Sequence, residues 1–233
     1  MTRAVSRETP PPPPPPAAGE IFGAALDGVI AYADLLGSAG VERGLIGPRE
    51  VPRLWERHLL NCAVVAPAFE PSASVADIGS GAGLPGLVLA LCRPDLRVTL
   101  VEPMLRRVRF LEEAVSDLGL GSVEIVRARA EELRGGRRYD AVTARALAPL
   151  DRLGGWCLPL VRPGGTLLAF KGESATSELE AAFSILRGLG ATDARVAIYG
   201  EGVLEVPTRV VVISTGSTRS AAGSVPAAGG DAE

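Results

Sequence analysis

The stretch Asp77-Ile78-Gly79-Ser80-Gly81-Ala82-Gly83-Leu84-Pro85-Gly86 carries the densest chemical information in this 233-residue chain. Glycine lets the backbone turn tightly and lets a ligand approach the main chain. The start of the helix that follows offers unpaired N–H groups to such a ligand. Two registers fit the spelling. Gly81-x-Gly83-x-x-Gly86 matches the dinucleotide fingerprint. Gly79-x-Gly81-x-Gly83, preceded by Asp77, fits the turn better, because Gly79 directly follows the apolar run. This register suits S-adenosylmethionine better than a pyrophosphate cofactor. Glu102 closes the next apolar run, 23 residues after Gly79. A carboxylate there can accept both hydroxyls of a ribose, which either cofactor carries. The structural alternative for the turn is a tight loop with no ligand.

These groups need a scaffold that brings strand ends together. From residue 75 onward, short β-branched runs alternate with helical stretches. The pattern predicts strands over 75–79, 97–102, 123–128, 139–144, 165–171, 194–199 and 209–214. It predicts helices over 85–92, 104–118, 150–160 and 176–190, with a short turn near 130–134. Leu105, Val108, Leu111, Val115 and Leu118 form the apolar stripe of the second of these helices. Such alternation implies an α/β fold, a mostly parallel sheet with helices on both faces. Residues 200–208 are too few for a parallel crossover, so the last strand should run antiparallel. Upstream, Ile21, Ala25, Val29, Tyr32, Ala33 and Leu36 predict a helix ended by Gly37 to Gly40. A second helix starts near Pro52 and stops at Pro67. The expected organisation is a Pro-rich tail over 1–19, a helical extension over 20–70, the α/β domain over 71–214 and a loose tail over 215–233. Seven consecutive prolines, Pro10 to Pro16, favour an extended, unpacked chain there.

Composition excludes several classes. Apolar residues make up 47% and charged residues 22%, enough to build a core without disulfides. A net charge of −3 argues against a polybasic binder, though local patches can still hold nucleic acid. Cys62, Cys92 and Cys157 are widely spaced, which predicts free thiols and no zinc site. No secretory signal and no apolar run near the length of a membrane span is visible. The expectation is a cytoplasmic monomer without metal or membrane attachment.

The segment from Asp77 to Leu120, followed by VRARAEEL and YDAVTARALAPL, resembles the glucose-inhibited division protein B family. Its members are 16S ribosomal RNA guanine-N7 methyltransferases. LWERHLLNCAVV upstream also fits, and the likeness covers roughly residues 20–172. It implies a class I methyltransferase (Rossmann-like) fold, S-adenosylmethionine as cofactor, and 16S ribosomal RNA or the small ribosomal subunit as partner. By the same resemblance, Gly79 and Leu84 would line the cofactor, Ala130 and Glu131 would flank its adenine, and Arg145 would border its methionine end or the target base.

The residues also limit which methyl transfer is possible. Methylation of a pyrimidine carbon needs a cysteine nucleophile, and all three cysteines fall in predicted helices. Ala144-Arg145-Ala146-Leu147-Ala148-Pro149 replaces the Asn/Asp-Pro-Pro-aromatic loop that accompanies exocyclic amine methylation. A two-lysine ribose tetrad is impossible, since Lys171 is the only lysine. Guanine N7 already carries an in-plane lone pair and loses no proton, so it needs no general base. Candidate RNA contacts are Arg53 and Arg57 on one helix face, His58 and Lys171. Further arginine clusters lie at 106–109 and 127–138. A small-molecule methyltransferase, a nicotinamide-dependent oxidoreductase and a non-catalytic binder remain as alternatives.

Overall fold

The computed structural model describes residues 10–216. A seven-stranded sheet forms its centre, in the order β3-β2-β1-β4-β5-β7-β6. The strands are β1 Ser74–Ile78, β2 Arg97–Val101, β3 Glu124–Val126, β4 Tyr139–Arg145, β5 Val161–Lys171, β6 Ala191–Tyr199 and β7 Thr208–Thr215. All five residues of β1 are buried, as expected of a central strand covered on both faces. β1 pairs in parallel with β2 and with β4, and β7 runs antiparallel to both β5 and β6. The antiparallel last strand follows from the short connection before it.

Two apolar layers cover the sheet. On one face lie the N-terminal extension, α4 (Gly86–Cys92) and α5 (Leu105–Asp117). On the other lie α6 (Leu150–Cys157) and α7 (Ala175–Gly188). The buried face of α5 is made by Val108, Phe110, Leu111 and Ala114. Leu105, expected in that stripe, is the first residue of the helix and is 41% exposed.

The extension departs most from expectation. The chain enters a helix at Pro16, as α1 (Pro16–Phe22), and continues through a 3-10 turn into α2 (Leu26–Leu35). Gly37 to Gly40 do not end it. Leu36–Gly40 is a π-helical turn, and the small residues there pack closely enough that Gly37 meets Pro11. The second helix is broken into a 3-10 turn Val51–Arg53, a π-helical turn Leu54–Leu59 and the short α3 (Leu60–Ala63). Pro10 to Pro15 form no helix or strand, and the carbonyl of Pro12 accepts the indole N–H of Trp55 at 2.8 Å. The part of the 1–19 tail that is described is therefore packed chain, because a large aromatic donor fixes it. The rest of that tail, and residues 217–233 of the other, lie outside the described residues.

The 25-residue segment Pro16–Gly40, which contains an 18-residue stretch of mean hydropathy 1.4, is long and apolar enough to cross a membrane by length and composition. Its Val29, Tyr32, Ala33 and Leu36 are nevertheless buried in the core.

Candidate cofactor and substrate site

The five parallel strands end along one edge, and the candidate residues sit there in strand order. Ala130 and Glu131 follow β3, Glu102 follows β2, Gly79 follows β1, Arg145 ends β4 and Lys171 ends β5. The order of the sheet reverses direction between β1 and β4, where open α/β sheets bind ligands.

The glycine turn is built from the main chain outward. Gly79, Gly81 and Gly83 have φ of 72°, 59° and 97°, a left-handed region that favours glycine. The amides of Gly79 and Ser80 donate to Val101 O, which ties the turn to the end of β2. Glu102, only 1% exposed, accepts from the amides of Gly81 and Met104, each at 3.0 Å. Its carboxylate thus bridges the turn and the start of α5, with lone pairs left for a second pair of donors. Arg107 pairs with it at 3.5 Å. Asp77 is fully buried; Oδ2 accepts from the Gly86 amide at 3.0 Å, while Oδ1 has no partner among the described residues. Burial pushes its carboxyl up to about 7.

These features fit a nucleoside cofactor. A carboxylate stands at the end of β2, main-chain glycines face the edge of the sheet, and an orphan carboxylate oxygen lies beneath the turn. Leu84 is half-buried, Ala130 buried and Glu131 exposed. Leu147, from the loop after β4, lies over Gly79, where an added Cβ would come within 2.7 Å of its side chain. Ala146 holds a positive φ of 51° in that loop, a conformation that L side chains seldom adopt.

Beyond β4 opens a cleft of about 1340 Å³. Its walls come from Arg57, His58 and Asn61 of the extension, from the 145–149 loop, from Lys171 and from the 203–209 connection. Arg57 and His58 line this cleft, but Arg53 does not. The expectation of one shared face assumed an α-helix. Passing from a 3-10 turn into a π-helical turn changes the angular step, so residues four apart no longer align.

Lys171 is not a solvated cation. Its Nζ donates to Ala148 O and to Glu178, both at 2.7 Å, and so supports the loop after β4. Burial works to raise the Glu178 carboxyl, but Lys171 and Ser174 outweigh it and hold the group low. Arg145 reaches across to the extension, donating to Arg57 O at 2.7 Å and meeting His58 Nδ1 at 2.8 Å. The other arginine clusters are partly tied up. Arg137 pairs with Glu124 and Arg134 donates to Gly155 O.

Sequence reasoning missed Tyr32, Glu50, Leu147 and Glu178. Tyr32 donates to Ala82 O at 2.6 Å and props the glycine turn from below. The positions were visible only as an apolar stripe, two ordinary acids and a loop leucine. The positive φ at Ala146 could not be read from its residue type.

The cysteines are free thiols, Cys62 and Cys157 buried and Cys92 partly so, all on helices. Among the described residues no cluster of three or more metal-ligating side chains occurs.

Comparison with known proteins agrees with this geometry. Residues 26–202 match the family model of rRNA small subunit methyltransferase G, GidB. A ribosomal RNA small subunit methyltransferase G of Nocardioides is 55% identical, over 91% of this chain and 84% of its own. The protein of that name in Salinispora tropica is 54% identical, over 92% of this chain and 91% of its own. Among solved structures, an S-adenosylmethionine-dependent O-methyltransferase of Thermotoga maritima superposes with a TM-score of 0.54 at 16% identity, over 69% of this chain and 66% of its own. A precorrin-6y C5,15-methyltransferase of Geobacter metallireducens does so with a TM-score of 0.51 at 16% identity, over 74% and 91%. Identities this low show the shared fold alone. A glycine turn set between two buried acids, on a sheet of this order, is thus found in a chain that belongs to the rRNA small subunit methyltransferase G family, enzymes of the class I S-adenosylmethionine-dependent methyltransferase fold.

Proposed function

We propose that this chain transfers the methyl group of S-adenosylmethionine to N7 of a guanine in 16S ribosomal RNA, by direct in-line displacement. The observation that carries this reading is the order of groups along the strand ends, with Leu147 both lining the cleft and lying over Gly79. Adenine would lie by Ala130 and Glu131, the ribose hydroxyls on Glu102, and the methionine end by Gly79 and Arg145. The guanine would enter from the cleft, against Leu147. Bound there, the cofactor supplies an electrophilic methyl on a sulfonium.

What remains for the protein is mainly positioning. N7 attacks with its own lone pair, so no proton need be removed. The polar groups of the cleft suit this. Its histidine is held between Arg145 and Glu50, and its lysine between Ala148 and Glu178. Glu56, Glu173 and Glu205 also line it, and carboxylates favour the cationic product base. Arg57 and Arg209 at its walls are suited to phosphates, and the small ribosomal subunit in the cytoplasm is the proposed partner of a monomer.

Transfer of labelled methyl from S-adenosylmethionine tests the substrate class. The acceptors are intact small subunits lacking the modification, the naked RNA and a panel of small amines and phenols. Label in the RNA of either form is expected. Label only in a small molecule would contradict the reading.

A further inference from the structure

The groups around Arg145 form a chain that the proposed transfer does not use directly. Arg145 stands at the end of β4, and its head crosses the cleft wall to the extension. Nη2 donates to Arg57 O at 2.7 Å and approaches His58 Nδ1 at 2.8 Å, while Nη1 donates to Cys62 Sγ at 3.5 Å. His58 Nε2 lies 3.0 Å from Glu50 Oε2, and Glu50 Oε1 lies 3.6 Å from Arg57 Nη1. A guanidinium can only donate, so His58 Nδ1 must be the acceptor. The imidazole proton then sits on Nε2 and goes to Glu50. One tautomer of one neutral ring satisfies both neighbours.

We propose that Glu50 and His58 are positioning residues for Arg145, holding its guanidinium at the mouth of the cofactor site through a neutral, Nε2-protonated imidazole. The inference rests on the reading that Arg145 serves the cofactor carboxylate or guanine O6. Three of the five guanidinium N–H groups are spent on the extension. The remaining two are left for a ligand. Without the His58 acceptor the long side chain regains its rotamers, and a charge that must meet the ligand at a fixed place no longer does so. The arrangement also explains why the extension folds into a π-helical turn at Leu54–Leu59. That turn supplies the carbonyl of residue 57 and the ring of residue 58, and α3 directly after it supplies the thiol of residue 62, all around one guanidinium.

Burial, and then the Arg145 charge, lower the His58 pKa, so the ring is neutral at pH 7. Glu50 opposes that shift and Arg57 adds to it, while the buried Cys62 thiol is pushed up to about 11 and stays protonated. Protonation of His58 removes the lone pair that Arg145 needs and sets two positive charges together.

The test is the kinetics of the full-length enzyme with S-adenosylmethionine and small subunits, together with Tm. The variants are His58→Gln, His58→Asn, Glu50→Gln, Arg145→Lys and the double variant His58→Gln/Arg145→Lys. Asparagine can place a carbonyl oxygen near the position of Nδ1; glutamine places its amide near Nε2 and offers Arg145 no acceptor. His58→Gln is expected to lower kcat on the order of tenfold or more. His58→Asn should recover most of that loss, and Glu50→Gln should lose a few-fold, by about the ordinary value of one hydrogen bond. The double variant should be no slower than Arg145→Lys alone, as expected of groups acting as one unit. The acid limb of the wild-type kcat profile should vanish in His58→Asn. Wild-type turnover in Arg145→Lys would overturn the role given to Arg145 itself. An inactive Arg145→Lys with near-normal His58→Gln would overturn the positioning role alone. So would losses that multiply in the double variant and follow Tm, since they would mark a structural staple.

Discussion

Glu102 and Asp77 are both buried acids at the ends of neighbouring strands, yet their surroundings give them different work. Glu102 accepts two amides and is the proposed partner of the ribose hydroxyls. Glu102→Gln keeps the size and removes the charge. Hydrogen bonds to a charged acceptor are worth about 1.5–3 kcal/mol each, so S-adenosylmethionine affinity should fall by about one to two orders of magnitude. Isothermal titration would measure it; unchanged affinity would remove Glu102 from the site. Asp77 carries one orphan oxygen, and burial lifts its carboxyl from 3.8 to about 7. A folded-state pKa above the unfolded value stabilises the protein below the unfolded pKa, and this stability is lost as pH rises through the folded one. The Tm of the ligand-free wild type, relative to Asp77→Asn, should therefore fall between pH 3.8 and about 7. A difference that is constant across that window would show that the acid stays ionised. At Gly79, alanine would face both a left-handed φ and Leu147 at 2.7 Å, so Gly79→Ala should weaken cofactor binding through the turn.

The elements explain why some of the site was legible and some was not. Short β-branched runs and helical patterning reproduce all seven strands and their neighbours, because a central parallel sheet demands continuous apolar runs. Even the antiparallel last strand follows from the length of its connection. The glycine turn and Glu102 were legible because backbone conformation and charge at a strand end are written in residue type. The N-terminal extension was not, because its 3-10 and π-helical turns are set by tertiary contacts rather than by periodicity. Two of those contacts are Trp55 on Pro12 and Tyr32 on Ala82. Tyr32→Phe leaves the Ala82 carbonyl without its donor and should cost about 1–3 kcal/mol in denaturant unfolding. It should also lower cofactor affinity, because Ala82 lies in the glycine turn. The Lys171–Glu178 pair was illegible for a similar reason, since it depends on the turn after β5 that brings the first turn of α7 back to Lys171. Lys171→Met should lower kcat by loosening the 146–149 loop. The salt dependence of RNA binding should stay the same. A salt slope shallower by about one unit would restore Lys171 as a phosphate contact.

At the scale of the whole molecule, an acidic protein has to place one guanine against one methyl donor. In the proposed arrangement the donor site lies at the ends of β1 to β3 and Arg145 joins it to the cleft, which the extension and the 203–209 connection wall. Reading a shaped RNA site in this way requires few aromatic stacking groups, and the chain has only two Trp, three Tyr and five Phe. The central claim is that the nucleophile is guanine N7 and that position, rather than proton removal or a covalent intermediate, drives the transfer. The most direct measurement is methyl transfer into small-subunit RNA prepared with guanosine or with 7-deazaguanosine, followed by nucleoside identification. The account predicts 7-methylguanosine as the labelled product and no transfer to the 7-deaza RNA. Label at another atom, or equal transfer to the 7-deaza RNA, would contradict it.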